Sequence, residues 1–430
     1  MNRVLFSTLR LVFTLFPVAA VVSRSSGQEP PARNVPGTLS LEAAIQLALE
    51  ISPALRAATA RVDAAGGRAI QAIAWANPEL ELGAEDWPVR TGRFSDAKRT
   101  IGIAQPLPFP GKRSLDKQIG RAEVRLSETE LDLHRAALIR DVKIGFFRVL
   151  AYDRLTEVST GLVVAAASSA VIARKRVEAG AAAYHEQLRA EVLEEQARTD
   201  LADVQRDLAA ARQSLAALVG RPDLSDAKLR GVLVETSDAT LLERSVQERL
   251  ASHPSLHAAQ VNLERAELGT RRARLEPYSD MKVGVAGGRS GETNQSIVQL
   301  SVSLPLPLVN RGKGVTQEAR ANVSIAQAEL NAVQHMLQRD WANAARRYTT
   351  AVEQVRNYRE RILPKATEAL QLVQTGFEQG KFDFIDLIDT QRTTGEVRQA
   401  YYGKLLEMNV AHAELEALLA GGDQPATRMK

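Results

Sequence analysis

Between residues 40 and 75 the apolar positions Leu41, Ile45, Ala48 and Leu49 recur at intervals of one, three and four. That is the rhythm of one face of an α-helix, and it returns near 240–275. After each helix the rhythm changes. "PELELGAE" (78–85) alternates Leu80, Leu82 and Ala84 with Glu79, Glu81 and Glu85, and "TIGIAQ" (100–105) sets Ile101 and Ile103 against Thr100, Gly102 and Ala104. Later, "DMKVGVAG" (280–287) sets Met281, Val283 and Val285 against Asp280, Lys282 and Gly284. "SIVQLSVSL" (296–304) does the same with Val298, Leu300, Val302 and Leu304 against Gln299, Ser301 and Ser303. Period two predicts strands, four of them in two pairs, joined by polar loops at 87–98 and 287–295.

Helix then resumes on a larger scale. No proline falls between Pro110 and Pro222, and about 65 residues run from Gly111 to the break at Ala179-Gly180. At 1.5 Å per residue that is roughly 100 Å. A second helix returns with Leu201, Val204, Leu208, Ala211, Leu215 and Leu218 spaced three and four apart, a coiled-coil seam. The same outline follows from Gly314 to Gln379-Gly380 and back to Ala420, with a kink expected at Pro364.

The parts therefore occur twice. "LEAAIQLALEISPALRAA" (41–58) aligns with "LERSVQERLASHPSLHAA" (242–259), so that Pro53 falls on Pro254 and Leu55 on Leu256. "RVEAG" (176–180) falls on "GFEQG" (376–380), and "IAQPLPFPGKR" (103–113) has its counterpart in "VSLPLPLVNRGKG" (302–314). The predicted organisation is a first repeat at 38–220 and a second at 221–421, followed by a short tail at 422–430.

The two proline phrases mark where strand must become helix. Pro106 and Pro108, and again Pro305 and Pro307, remove amide donors on one strand edge, so ladder pairing is expected to end there. Gly111 and Gly312 then permit the turn into the helix. The Gly-Lys pair is not a phosphate loop: no glycine precedes Gly312 by five residues, and Gly314 stands where Ser or Thr would follow the lysine.

Composition narrows the class. The 430 residues carry Lys+Arg 55 against Asp+Glu 51, with basic residues interspersed among acidic ones, which gives no footprint for nucleic acid. Absence of cysteine excludes disulfides, zinc-thiolate sites and a lipidated N-terminal cysteine. Arg3 and Arg10 precede the apolar run "LVFTLFPVAAVV" (11–22), the pattern of a secretory signal peptide, assigned to 1–27 with cleavage between Ala20 and Gly27. The run is short for a membrane anchor. A proline-rich linker follows at 28–37, and no transmembrane helix is expected beyond it.

Enzymatic chemistry finds little support. The six histidines are scattered, and although His253 and His257 are four apart, their counterparts Ser52 and Arg56 bind no metal. Asp383, Asp386 and Asp389 lie at i, i+3 and i+6, broadly on one side of a helix, and one reading of them is a solvated acidic helix start. No cofactor or nucleophile arrangement emerges. Long hairpins also occur in soluble periplasmic adaptors and coiled-coil scaffolds, but neither explains a strand pair ahead of each of two hairpins.

Four strands with one apolar and one polar or small face suit a barrel wall in lipid. Four cannot close, and an open edge in lipid leaves backbone groups unpaired. Two or three chains would have to pool strands to reach the smallest barrels, of about eight. Trp87, Phe94 and Tyr278 are candidate interface aromatics.

Over residues 38–421 the sequence resembles the TolC family of outer membrane efflux proteins. "LSLEAAIQLALEISPALRAA", "NPELEL", the two proline phrases and "FEQGKFDFIDLIDTQ" (377–391) carry the resemblance, and the proline phrases look most like the CzcC-like heavy-metal branch. The resemblance implies an α+β membrane channel: a homotrimer sharing a twelve-stranded transmembrane β-barrel continuous with a long α-helical coiled-coil tunnel through the periplasm. It implies an outer-membrane location in contact with lipid and passive export. It also implies two partners: a periplasmic adaptor and an inner-membrane pump of the resistance-nodulation-division type. Heavy-metal cations are the expected cargo, with drugs or type I secreted polypeptides as the alternative. The hairpin tips at Gly180 and Gly380 would dock the adaptor, and Asp386 and Asp389 would fall at the periplasmic entrance. Phe382 departs from the pattern, standing where a related channel has an arginine, and Glu186 and Arg189 replace the paired acids in the first repeat.

Overall fold

The protein is described by a computed structural model covering residues 38–86, 94, 97–235, 250–291 and 293–419. The signal peptide, the linker, the tail, Trp87 and residues 236–249 of the second repeat lie outside the described residues.

The described residues open with β1 (Thr38–Ser40), α1 (Leu41–Ile51) and α2 (Pro53–Ala72). The sequence predicts one helix here, and the structure divides it at Ser52. Pro53 forces the residue before it out of the helical region, and Ser52 sits at φ −51°, ψ 119°. Its hydroxyl then caps α2 by accepting from the Leu55 N–H at 3.4 Å. The second repeat makes the same break: His253 precedes Pro254, and α5 spans Pro254–Ala273.

Strands β2 (Glu79–Glu85) and β3 (Lys98–Leu107) follow, then the hairpin of α3 (Lys112–Glu178) and α4 (Tyr184–Val219). At 67 residues, α3 is the unbroken helix the missing prolines predict. All six predicted seam positions on α4 are buried or half-buried. A 3₁₀ turn and β4 (Lys228–Arg230) lead onward, and β4 pairs in parallel with β1. Three-residue strands carry no readable period, and the sequence does not announce this pair.

The second repeat supplies β5 (Met281–Arg289), β6 (Ser296–Ser303), α6 (Lys313–Asn357), α7 (Leu363–Glu378) and α8 (Phe384–Leu419). Between α6 and α7, Tyr358–Ile362 form a π turn. Pro364 lies just beyond it. Its ring crowds the carbonyl four residues back, and a widened turn accommodates that crowding while the helix continues.

β2, β3, β5 and β6 form one antiparallel sheet in that order. Beyond it, α3 packs on α2, α4, α5 and α8, while α6 packs on α5 and α8. One core joins α1, α3 and α4 around Val142, Phe146, Val149 and Leu215. A second joins α6 and α8 around Tyr348, Leu405, Met408 and Leu415. A small third cluster near the hairpin tips contains Ala170, Ala173, Ala190, Phe384 and Ile388.

One stretch departs from expectation. Within α3, which includes "GLVVAAASSAVIA" (161–173), a window of 18 residues has mean hydropathy 1.6, enough by length and composition for a membrane span. Leu162, Val163, Val164, Val171 and Ile172 supply most of that hydropathy, and Ala170 and Ala173 in the same stretch are buried. Ser169 and Ser159 in this region hydrogen-bond to Gln391 and Gln399 of α8.

Candidate functional site

The sheet is the first functional surface. Its register builds cross-strand rows: Leu80–Ile103–Val285–Leu300 and Leu82–Ile101–Gly287–Val298. Val283 and Val302 begin a third row beside Gln105. The apolar side chains of this face are open to the surroundings, with Leu82 at 74% and Leu300 at 81% of full exposure. The apolar alternation runs past the end of β6 through the exposed Leu304, Leu306 and Leu308. The opposite face carries Gly102, Ala104, Gly284, Ala286, Gln299 and Ser301. Its lysines are paired, Lys98 with Glu85 and Lys282 with Glu79, each at 2.7 Å. Both outer strands, β2 and β6, have one unpaired edge.

The seam is the second. Gly111 and Gly312 precede α3 and α6 at φ +94° and +64°, where glycine is favoured. The prolines act differently from expectation in the first repeat. The β2–β3 ladder ends at Ala104, but pairing of β3 with β5 continues through Pro106 to Leu107. Proline lacks the donor yet keeps its carbonyl and an extended-compatible φ, so it stays in register beside one neighbour once the other has ended. Pro108, Pro305 and Pro307 all lie beyond strand ends. Asp280, just before β5, accepts from the Phe109 N–H at 3.2 Å and from Lys112 Nζ at 3.1 Å, which ties the α3 start to the sheet. Tyr278 stacks on Phe109 with ring centroids 4.8 Å apart.

The tips are the third. Gly180 and Gly380 both adopt φ +71°. In each, the next residue's N–H reaches back five residues, Ala181 to the Arg176 carbonyl and Lys381 to that of Gly376, both at 2.8 Å. These are Schellman turns closed by a left-handed glycine. Sequence reasoning missed the contact between the tips. The Arg176 guanidinium lies over Phe377 at 5.7 Å and Phe384 at 5.9 Å, so the first hairpin clasps the second through a cation–π contact. Phe382 folds its ring against Gly376.

Asp386 and Asp389 lie exposed on α8 beside the second tip. The Asp386 carboxylate accepts from the Asp383 N–H at 3.2 Å, half of a capping box. Asp389 pairs with Arg392 at 2.9 Å, and Arg392 also reaches Glu396 at 2.6 Å. The Asp389 carboxylate, with Glu396 beside it, holds the Arg392 pKa above its ordinary value. The His253 Nδ1 accepts from the Ser255 N–H at 3.1 Å and caps α5. Among the described residues no group of three or more His, Asp or Glu is placed to hold a metal ion.

These surfaces can be set beside known proteins. The profile of the outer membrane efflux protein family matches twice, over residues 44–221 and 245–421. The chain belongs to the outer membrane efflux protein family. It is 30% identical over 387 residues to the cobalt-zinc-cadmium resistance protein CzcC of Cupriavidus metallidurans, covering 90% of this chain and 91% of that one. It is 27% identical over 317 residues to the nickel-cobalt-cadmium resistance protein NccC of Alcaligenes xylosoxydans xylosoxydans, covering 72% and 69%. Its fold matches the outer membrane protein VceC of Vibrio cholerae with a TM-score of 0.75 at 18% identity, covering 89% of this chain and 97% of that one. Family membership and fold agree with the exposed apolar sheet and the paired hairpins.

Proposed function

We propose that three copies of this chain close a twelve-stranded barrel in the outer membrane, three times the four strands of one sheet. The observation that carries this reading is a sheet with one wholly exposed apolar face and two open edges. Lipid covers such a face, and only strands from other copies satisfy the edges. The hairpins then assemble into a helical tunnel through the periplasm, and the channel conducts passively. The repeats at 38–220 and 221–421 act as two versions of one unit, a reading supported by the doubled family match. The tips at Gly180 and Gly380 dock a periplasmic adaptor, which joins the channel to an inner-membrane pump of the resistance-nodulation-division type. Heavy-metal cations are the cargo, supported by the names of the two relatives.

Cross-linking in mild detergent is expected to give a three-chain species. In a metal-sensitive host, co-expression with a metal-type pump and adaptor is expected to restore growth on zinc or cobalt. A monomer stable in bilayers would overturn the assembly, and unrestored growth from a properly assembled trimer would overturn the cargo.

A further inference from the structure

The two faces of the sheet treat positive charge differently. On the polar face, Lys98 and Lys282 each have a glutamate partner. On the apolar face stand Arg99 and Arg289, directly opposite each other in the β3–β5 register. Both are exposed, and neither has a carboxylate partner among the described residues. Their row, Ala84–Arg99–Arg289–Ser296, lies one step beyond Leu82–Ile101–Gly287–Val298. That step is two residues, about 7 Å along a strand. The row is at the end of the sheet far from the helices, because β3 runs from Lys98 toward α3.

Like charges on directly opposed residues destabilise a sheet unless an anion offsets them. A second feature adjoins the pair. Gly287 interrupts the apolar row between Ile101 and Val298, and a Cβ built there would meet nothing within 4 Å. The face thus has an open trough two residues below Arg289. Phe94 lies under the Arg99 guanidinium, with its ring centroid 5.8 Å away, as aromatic rings do at a membrane interface.

We propose that Arg99 and Arg289 hold the phosphate of an anionic lipid in the outer leaflet, with an acyl chain in the trough at Gly287. The inference rests on the barrel reading above. Two planar guanidinium forks suit a phosphate, and their charge matches an anionic membrane surface. The trough selects a lipid over free phosphate, because only a lipid places a hydrocarbon chain beside its anion.

The test uses the full chain in nonionic detergent, titrated with diphosphoryl lipid A and read by native mass spectrometry. Wild-type protein is expected to retain lipid A. Arg99→Gln with Arg289→Gln should weaken retention about 30-fold, from the attraction typical of two cations near an anionic surface. Arg99→Lys with Arg289→Lys should recover much of it. Gly287→Leu should weaken lipid A retention with both arginines intact, and excess inorganic phosphate should fail to displace the lipid. Equal retention by wild type and the double glutamine variant overturns the site, and so does displacement by inorganic phosphate. Insertion of the same samples into phosphatidylcholine vesicles is measured in parallel. A chain that inserts yet fails the titration loses only the lipid site, whereas one that does not insert loses the barrel as well.

Discussion

His253 shows how one side chain can make the fold sensitive to acid. Its Nδ1 must be unprotonated to accept from Ser255, and burial pushes the ring's pKa below its ordinary value of 6.5. As pH falls through the ordinary histidine range, the unfolded chain binds a proton that the native chain refuses. Stability is therefore complete above that range and declines as pH drops toward the lowered native value. His253→Asn retains a capping side chain and removes the titration. Denaturation at pH 7.5 and 5.5 should show a larger acid-induced loss in wild type than in the variant; equal losses would acquit His253. Other single residues hold distant segments together. The Asn409 side chain pairs with both the N–H and the carbonyl of Val234, each at 3.0 Å. Nearby Tyr401 is pushed up to about 12, first by burial and then by the Glu235 carboxylate. Nothing in the local sequence around Asn409 names Val234, 175 positions away.

At the scale of elements, the two faces of β6 offer a direct contrast. Leu300 lies on the apolar face and Ser301 on the polar one. If the apolar face meets lipid as proposed, Leu300→Arg should reduce the free energy of folding into vesicles by roughly 2–4 kcal/mol, the cost of a cation near the midplane on such a strand. Ser301→Arg should cost far less, and similar losses would refute the assignment of faces. The tips allow a second contrast. A Cβ at Gly380 would meet no atom, so only its φ of +71° resists substitution. Asn tolerates that conformation and β-branched residues do not. Gly380→Asn should therefore leave hairpin and assembly intact, while Gly380→Val destabilises the turn; any growth defect of the Asn variant on metal then reports on docking, and equal behaviour of the two variants would deny the turn its role. Elements with a sustained local period, such as the alternating strands and α3, were legible from the sequence, as were both tips. Features made by contacts between remote segments were not: the β1–β4 pair, the Arg176 clasp, and the continuation of β3 through Pro106 beside β5. The Ser52 break was written locally in Ser-Pro, but the helical period on both sides concealed it.

At the scale of the assembled molecule, three-fold symmetry in the proposed trimer would turn Asp386 and Asp389 into two rings of carboxylates at its proposed periplasmic entrance. Such rings concentrate cations when the walls are of low dielectric. The structure separates their contributions. Asp389 shares Arg392 with Glu396, so this trio has two acids and one base and part of its charge is answered locally. Among the described residues the Asp386 carboxylate accepts from the Asp383 N–H and has no basic side chain as a partner. Asp386→Asn should therefore reduce cation preference more than Asp389→Asn, and the double variant should also weaken block by multivalent cations applied from the periplasmic side. Asparagine can still accept from the Asp383 N–H, so the helix start survives the change. Planar-bilayer recordings in a salt gradient decide the matter through reversal potentials and blocker affinity. If neither moves in the double variant, Asp386 is a helix cap and Asp389 a surface ion pair, and neither residue sets ion selectivity.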